Sequence, residues 1–163
     1  QASDLMIGVG QASTKASDSS LEFKHMLAKV AIHIIDDTGY SELGSIDTEL
    51  LNVNTSANVD LPHQQVSVVE LQRASVKMLT EYVSDWRVSS YAIVAPQQVA
   101  EGAEFYAITL YGTRQEYTVP EAVTLEGGKT YVINLRLTRQ GLVPDGWAVT
   151  DWDSEEERNI DAT

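Results

Sequence analysis

From Thr130 to Leu137 the chain sets Tyr131, Ile133, Leu135 and Leu137 on one side and Thr130, Asn134 and Arg136 on the other. A period of two belongs to a β-strand and not to a helix, and here it predicts a strand with one wet face. The same period runs through 103–111, where Phe105, Ala107, Thr109 and Tyr111 oppose Tyr106, Ile108 and Leu110. Both sets are largely apolar, so a central strand covered on two sides is expected. Trp86, Val88, Ser90, Ala92 and Val94 alternate as well, and Pro96, which cannot donate to a ladder, stops them. Shorter candidates lie at 47–51, 57–61, 65–71, 76–83, 116–119 and 147–152. Between them stand Asp37-Thr38-Gly39, Glu101-Gly102, Tyr111-Gly112-Thr113, Glu126-Gly127-Gly128 and Pro144-Asp145-Gly146, which tolerate positive φ or open tight turns. Many short strands rich in Val, Ile, Thr and Tyr, with turns at short intervals, predict an all-β chain folded as a two-sheet antiparallel β-sandwich.

The run Ser20–Ile35 is two-sided and apolar. Phe23, Met26, Leu27, Val30 and Ile34 would also make a helical stripe, but the β-branched residues from Val30 onward favour a strand. Its apolar residues occupy odd positions at Leu21, Phe23 and Leu27, then even ones at Ala28, Val30, Ile32 and Ile34. A change of parity implies a bulge or a passage from one sheet to the other near Met26.

The 163 residues fit one domain, and a chain of that size can bury roughly 70% of its unfolded surface. No Pro-rich linker and no repeat of fixed period divides it. The net charge of −13 repels phosphate backbones and anionic lipid, so nucleic acid and a membrane surface are not expected partners. With no cysteine the core relies on burial and backbone pairing. No apolar run approaches the ~20 residues of a spanning helix, and Gln1 opens neither a signal nor an initiator, so a soluble, processed or trimmed piece of a longer protein is expected.

Residues that could carry chemistry are few. His25, His33 and His63 are the only histidines, and their spacing does not gather them around one ion, so no metal is expected. Asp151, Asp153, Glu155, Glu156 and Glu157 superficially resemble a calcium loop but lack its glycine and closing glutamate, which leaves 153–163 as a solvated acidic tail. Carboxylate pairs carry no specificity among twenty-four acids. Gly-x-Ser-x-Gly, Gly-x-x-x-x-Gly-Lys and His-Glu-x-x-His are absent, and no catalytic residue or cofactor site is expected. Tyr40, Tyr82, Trp86, Tyr91 and Trp152 could stack on sugar rings if exposed on one face, although aromatics at alternating strand positions more often fill a core.

Phe23-Lys-His-Met-Leu-Ala-Lys-Val30 resembles the signature of the Bacteroides-type fimbrillin family. Asp4-Leu-Met6 ahead of it, Tyr91-Ala-Ile-Val-Ala-Pro-Gln97, Leu125-Glu-Gly-Gly-Lys-Thr-Tyr131, and Trp147 with Trp152 resemble further family segments in the same order. The resemblance implies a transthyretin-like β-sandwich forming the C-terminal half of a two-domain protein, exported as a lipoprotein to the outer-membrane surface or a fimbrium. It implies a non-catalytic pilus subunit or adhesin that assembles by β-strand exchange with other pilus subunits and meets a host or bacterial surface ligand. Phe23, Leu27, Val30, Ile32 and Ile34 would then wall the core or strand groove, and Trp147, Val149 and Trp152 would form the C-terminal pairing strand. The alternative on the aromatic content is a carbohydrate-binding β-sandwich module.

Overall fold

The computed structural model describes residues 4–10, 21–39, 46–69 and 72–152. Its strands in chain order are β1 (Met6–Gly10), β2 (Leu21–His25), β3 (Ala28–Asp36), β4 (Ile46–Asn54), β5 (Ala57–Asp60), β6 (Gln65–Val68), β7 (Arg73–Lys77) and β8 (Leu79–Ser84). They continue as β9 (Arg87–Val94), β10 (Gln97–Val99), β11 (Glu104–Leu110), β12 (Thr113–Thr118), β13 (Val123–Leu125), β14 (Lys129–Thr138) and β15 (Gly141–Asp151). No helix occurs among the described residues.

A five-stranded sheet ordered β15-β14-β3-β9-β8 faces a four-stranded sheet ordered β12-β11-β4-β7. The inward residues are those that the period of two selects. Val30, Ile32 and Ile34 of β3 and Tyr131, Ile133, Leu135 and Leu137 of β14 meet Leu50, Val53, Tyr106, Ile108 and Tyr117 of the other sheet in one apolar core. At about 25 cal/mol per Å² of apolar area, such residues supply most of the favourable free energy, and no staple is required. Phe105, Tyr106, Ala107 and Ile108 are all buried, so β11 is covered on both sides as its sequence predicts.

Three features depart from expectation. The pairing is antiparallel except between β3 and β14, which run parallel from Thr130↔Lys29 to Leu137↔Asp36. A parallel pair needs a long crossover, and here the whole second sheet lies between the two strands in the chain. On the side of β14 expected to be wet, Thr130 and Val132 at its start are fully buried, whereas Asn134 is half-buried and Arg136 exposed, so only the later half of that face meets water. The expected strand 76–83 is two strands: Met78, buried and donating its amide to the Thr48 carbonyl at 2.9 Å, marks the step from one sheet to the other. The parity change near Met26 coincides with a break between β2 and β3.

Three small ribbons lie apart from the two main sheets: β1–β2, β5–β6 and β10–β13. The first two flank the end of the sandwich where β3 begins and β9 finishes. A cavity of about 580 Å³ there is lined by His25 and Met26 from one ribbon, Gln64 and Val66 from the other, and Gln98 and Thr124 beneath.

Candidate assembly site

Val30, Ile32 and Ile34 are fully buried and Leu27 is half-buried, but Phe23 is not part of that wall. It stands 57% exposed on β2, which pairs only with β1. The correction follows from where the strand divides: once β2 leaves the sandwich at Met26, the side chains before the break have no opposing sheet to face. Phe23 lies instead across Gly8, its directly paired partner, so closely that a Cβ at Gly8 would sit 2.8 Å from the ring. Met6, Val9 and Leu21 of the same ribbon are also exposed.

The base of the ribbon is tied down by three sequence segments that lie far apart in the chain. His25 Nδ1 is 2.7 Å from Asp4 Oδ2, and its ring stacks on the Trp152 indole at 4.4 Å and 12°. The Met26 amide donates to the Leu5 carbonyl at 2.9 Å, Gly128 to Leu27 at 2.8 Å and Trp152 to Gly128 at 3.0 Å. Gly127 faces the Met26 backbone so tightly that any Cβ there would lie 2.5 Å from its carbonyl oxygen. The Tyr131 hydroxyl donates to Thr124 and accepts from the Glu126 amide, each at 2.7 Å, which pins the turn in this position. Burial raises the Tyr131 phenol above its ordinary pKa, which keeps that donor protonated.

On the other flank of β3, strand β9 outruns its neighbour. The pairing with β8 ends at Leu79↔Tyr91, whereas β9 continues to Val94 along β3. Among the described residues no strand pairs with this flank of β9 beyond Tyr91, so alternate backbone N–H and C=O groups face a groove. The groove has a volume of about 650 Å³, and its apolar lining includes Leu27, Val76, Met78, Ala92 and Val94.

The opposite edge of the five-stranded sheet is β15. Its first half resists pairing, because the register shifts between Asn134 and Leu135 opposite Pro144 and Gly146, and Arg136 grips Asp145 through two contacts of 3.0 Å. The second half presents Trp147, 40% exposed, and Val149, 50% exposed, opposite Ile133 and Tyr131. Trp147 meets Tyr131 edge-on at 6.3 Å. Trp152 lies just past the strand, with its ring stacked on His25.

The remaining sequence candidates are dispersed. His33 is buried with Nδ1 2.8 Å from Ser89 Oγ, and His63 is exposed beside Asp60 at 2.8 Å. No group of three His, Cys, Asp or Glu able to hold a metal occurs among the described residues. Tyr91 is half-buried under Lys29, while Tyr82 and Trp86 are exposed rather than core. Tyr40 and the acidic tail 153–163 lie outside the described residues. The strand groove implied by the family resemblance has Leu27 among its lining residues, but no residue pattern placed it beside β9, where Pro96 ending the strand was the nearest local sign.

The chain is an all-β, two-sheet sandwich with one strand flank unpaired among the described residues and three small ribbons apart from the main sheets. The family model described as fimbrillin-like matches residues 1–152, and the chain belongs to that family. No curated protein matches it. Among solved structures, a candidate cell adhesion protein of Bacteroides uniformis is similar at 21% identity, TM-score 0.63, covering 81% of this chain and 52% of its own. One from Bacteroides ovatus is similar at 14% identity and TM-score 0.68, covering 83% and 48%, and one from Bacteroides thetaiotaomicron at 24% and 0.60, covering 89% and 60%. At these identities the likeness is one of fold. The chain spans about half the length of the solved structures it matches.

Proposed function

We propose that this chain is the C-terminal β-sandwich domain of a fimbrial subunit that is exported to the cell surface and assembles with other subunits by strand addition. The observation that carries this reading is the flank of β9 beyond Tyr91, where an apolar groove runs beside backbone groups that no neighbouring strand takes up. An extended segment laid there gains main-chain hydrogen bonds along its length, and alternate side chains enter the groove formed by Leu27, Val76 and Val94. That mode needs neither catalysis nor a cofactor. The exposed half of β15, with Trp147 and Val149, is the complementary edge on which a neighbouring subunit can pair. The ribbon bearing Met6, Val9, Leu21 and Phe23 is the face against which a further domain or subunit packs, consistent with an exposed apolar patch outside the core.

The test uses the full-length gene product expressed in its own host. Leu27→Lys places a charge in the groove at a half-buried position, and it is expected to abolish the ladder of polymers on unheated denaturing gels while the purified chain keeps its melting temperature within a few degrees. Surface fractionation of the wild type should recover polymer with the outer membrane. Strictly monomeric wild-type protein, both before and after proteolytic trimming, would refute the assembly role.

A further inference from the structure

We infer that the end of the sandwich opposite the ribbons is a binding site for neutral oligosaccharides, built on Tyr82, Trp86 and Tyr111. This goes beyond the assembly reading and does not depend on it, because the site lies at the other end of the strands.

Three observations converge. All three rings are exposed, at 55%, 52% and 69% respectively, so they contribute little to the core. They also share one end of the molecule. The Tyr82 hydroxyl accepts the Ile46 amide at 3.0 Å, Ile46 pairs with Leu110, and Tyr111 follows Leu110 directly. The Trp86 carbonyl accepts the Asp36 amide at 2.8 Å, and Tyr82 pairs with Val88 across the same hairpin. Finally, Tyr111 is held in a conformation that tyrosine disfavours. Tyr111 at φ 50 and Gly112 at φ 79 form the two-residue turn between β11 and β12, of the kind in which Asn-Gly is the favoured pair. A bulky side chain at positive φ is uncommon and strained, and its retention at an exposed tip points to a use for the ring.

The chemistry selects the ligand class. Aromatic rings with polar edges stack on the apolar faces of pyranose rings, and at the same end of the sheet the exposed Asp37 carboxylate, 3.6 Å from the Arg136 guanidinium, offers a polar pair for sugar hydroxyls. The net charge of −13 disfavours phosphate, sulfate and sialic acid, so neutral sugars are the favoured class and anionic glycans are an outcome of the test.

The experiment presents the purified chain to an immobilised array of neutral glucose, galactose and N-acetylglucosamine oligomers alongside sialylated and sulfated ones. Binding to neutral members is expected. Trp86→Ala and Tyr111→Asn should each weaken it by about tenfold, the loss typical of an aromatic anchor, while Trp86→Tyr should retain most of it. Tyr111→Asn carries a second readout: relief of strain should raise Tm by about 2–4 °C even as binding is lost. A silent array, preference for anionic glycans, binding that survives both ring deletions, or a lower Tm in Tyr111→Asn would each overturn the proposal.

Discussion

Gly127→Ala tests whether the Phe-Lys-His segment is held by close backbone packing. Gly127 is not at positive φ, so its lack of a side chain answers a need for space, unlike Gly128 at φ 75 beside it. A methyl group there would stand 2.5 Å from the Met26 carbonyl oxygen and 3.0 Å from its carbon. The two backbones must part by about 0.5 Å to reach even 3.0 Å, a distance that real Cβ contacts essentially never undercut. The neighbouring atoms are backbone, tied through Gly128 to Leu27 and Met26 to Leu5, and they cannot rotate away. Overpacking of this sort costs about 1–3 kcal/mol. For a chain of this size each kcal/mol shifts Tm by roughly 2–4 °C, so a fall of about 2–12 °C is expected in thermal melts followed by circular dichroism. Hydrogen exchange should locate the loss at 24–28 and 150–152, because the His25–Trp152 stack shares the same turn. Gly102→Ala is the control, at φ 75 with nothing within 4 Å of the added methyl. It should cost only the left-handed backbone penalty of about 1–2 kcal/mol, with no exchange change at 24–28. Equal melting curves for Gly127→Ala and wild type would show that the turn yields freely and that the packing account is wrong.

Ile32→Ala, at a fully buried position, should lose about 2–5 kcal/mol in urea titrations, whereas Phe23→Ala, exposed on its ribbon, should leave the urea midpoint close to wild type and weaken assembly instead. The Tyr106 phenol is pushed well above its ordinary pKa by burial, and Tyr117 and Tyr131 are raised by the same cause. Above about pH 10 the unfolded chain releases these protons while the folded chain keeps them, so stability is full below that pH and declines as pH rises. Tyr106→Phe should flatten the decline, and tyrosinate absorbance from Tyr106 should appear only with unfolding. Thr48→Val removes the 2.8 Å hydroxyl pair with Thr80 that links the two sheets beside Met78, and about 1 kcal/mol of stability should go with it.

The period-two pattern by itself determined much of this protein. It specified the all-β class, the strands β9, β11 and β14 to within a residue or two, and the inward set Val30, Ile32, Ile34, Ile133 and Leu135, because a side chain's face follows directly from its position in a pleated strand. The family segments were legible for the same local reason, as runs of adjacent residues. What the pattern could not determine was which strands become neighbours, since pairing joins segments far apart in sequence. Only the tertiary structure decided that β3 and β14 run parallel, that Phe23 belongs to a detached ribbon, that His25, Gly127 and Trp152 form one knot, and that β9 outruns β8 to leave a groove. The short β1, β10 and β13 were missed because strands of three to five residues carry too little periodicity to stand out. Tyr111 shows the same division: its ring is visible in the sequence, but its exposure and its positive φ exist only in the folded hairpin.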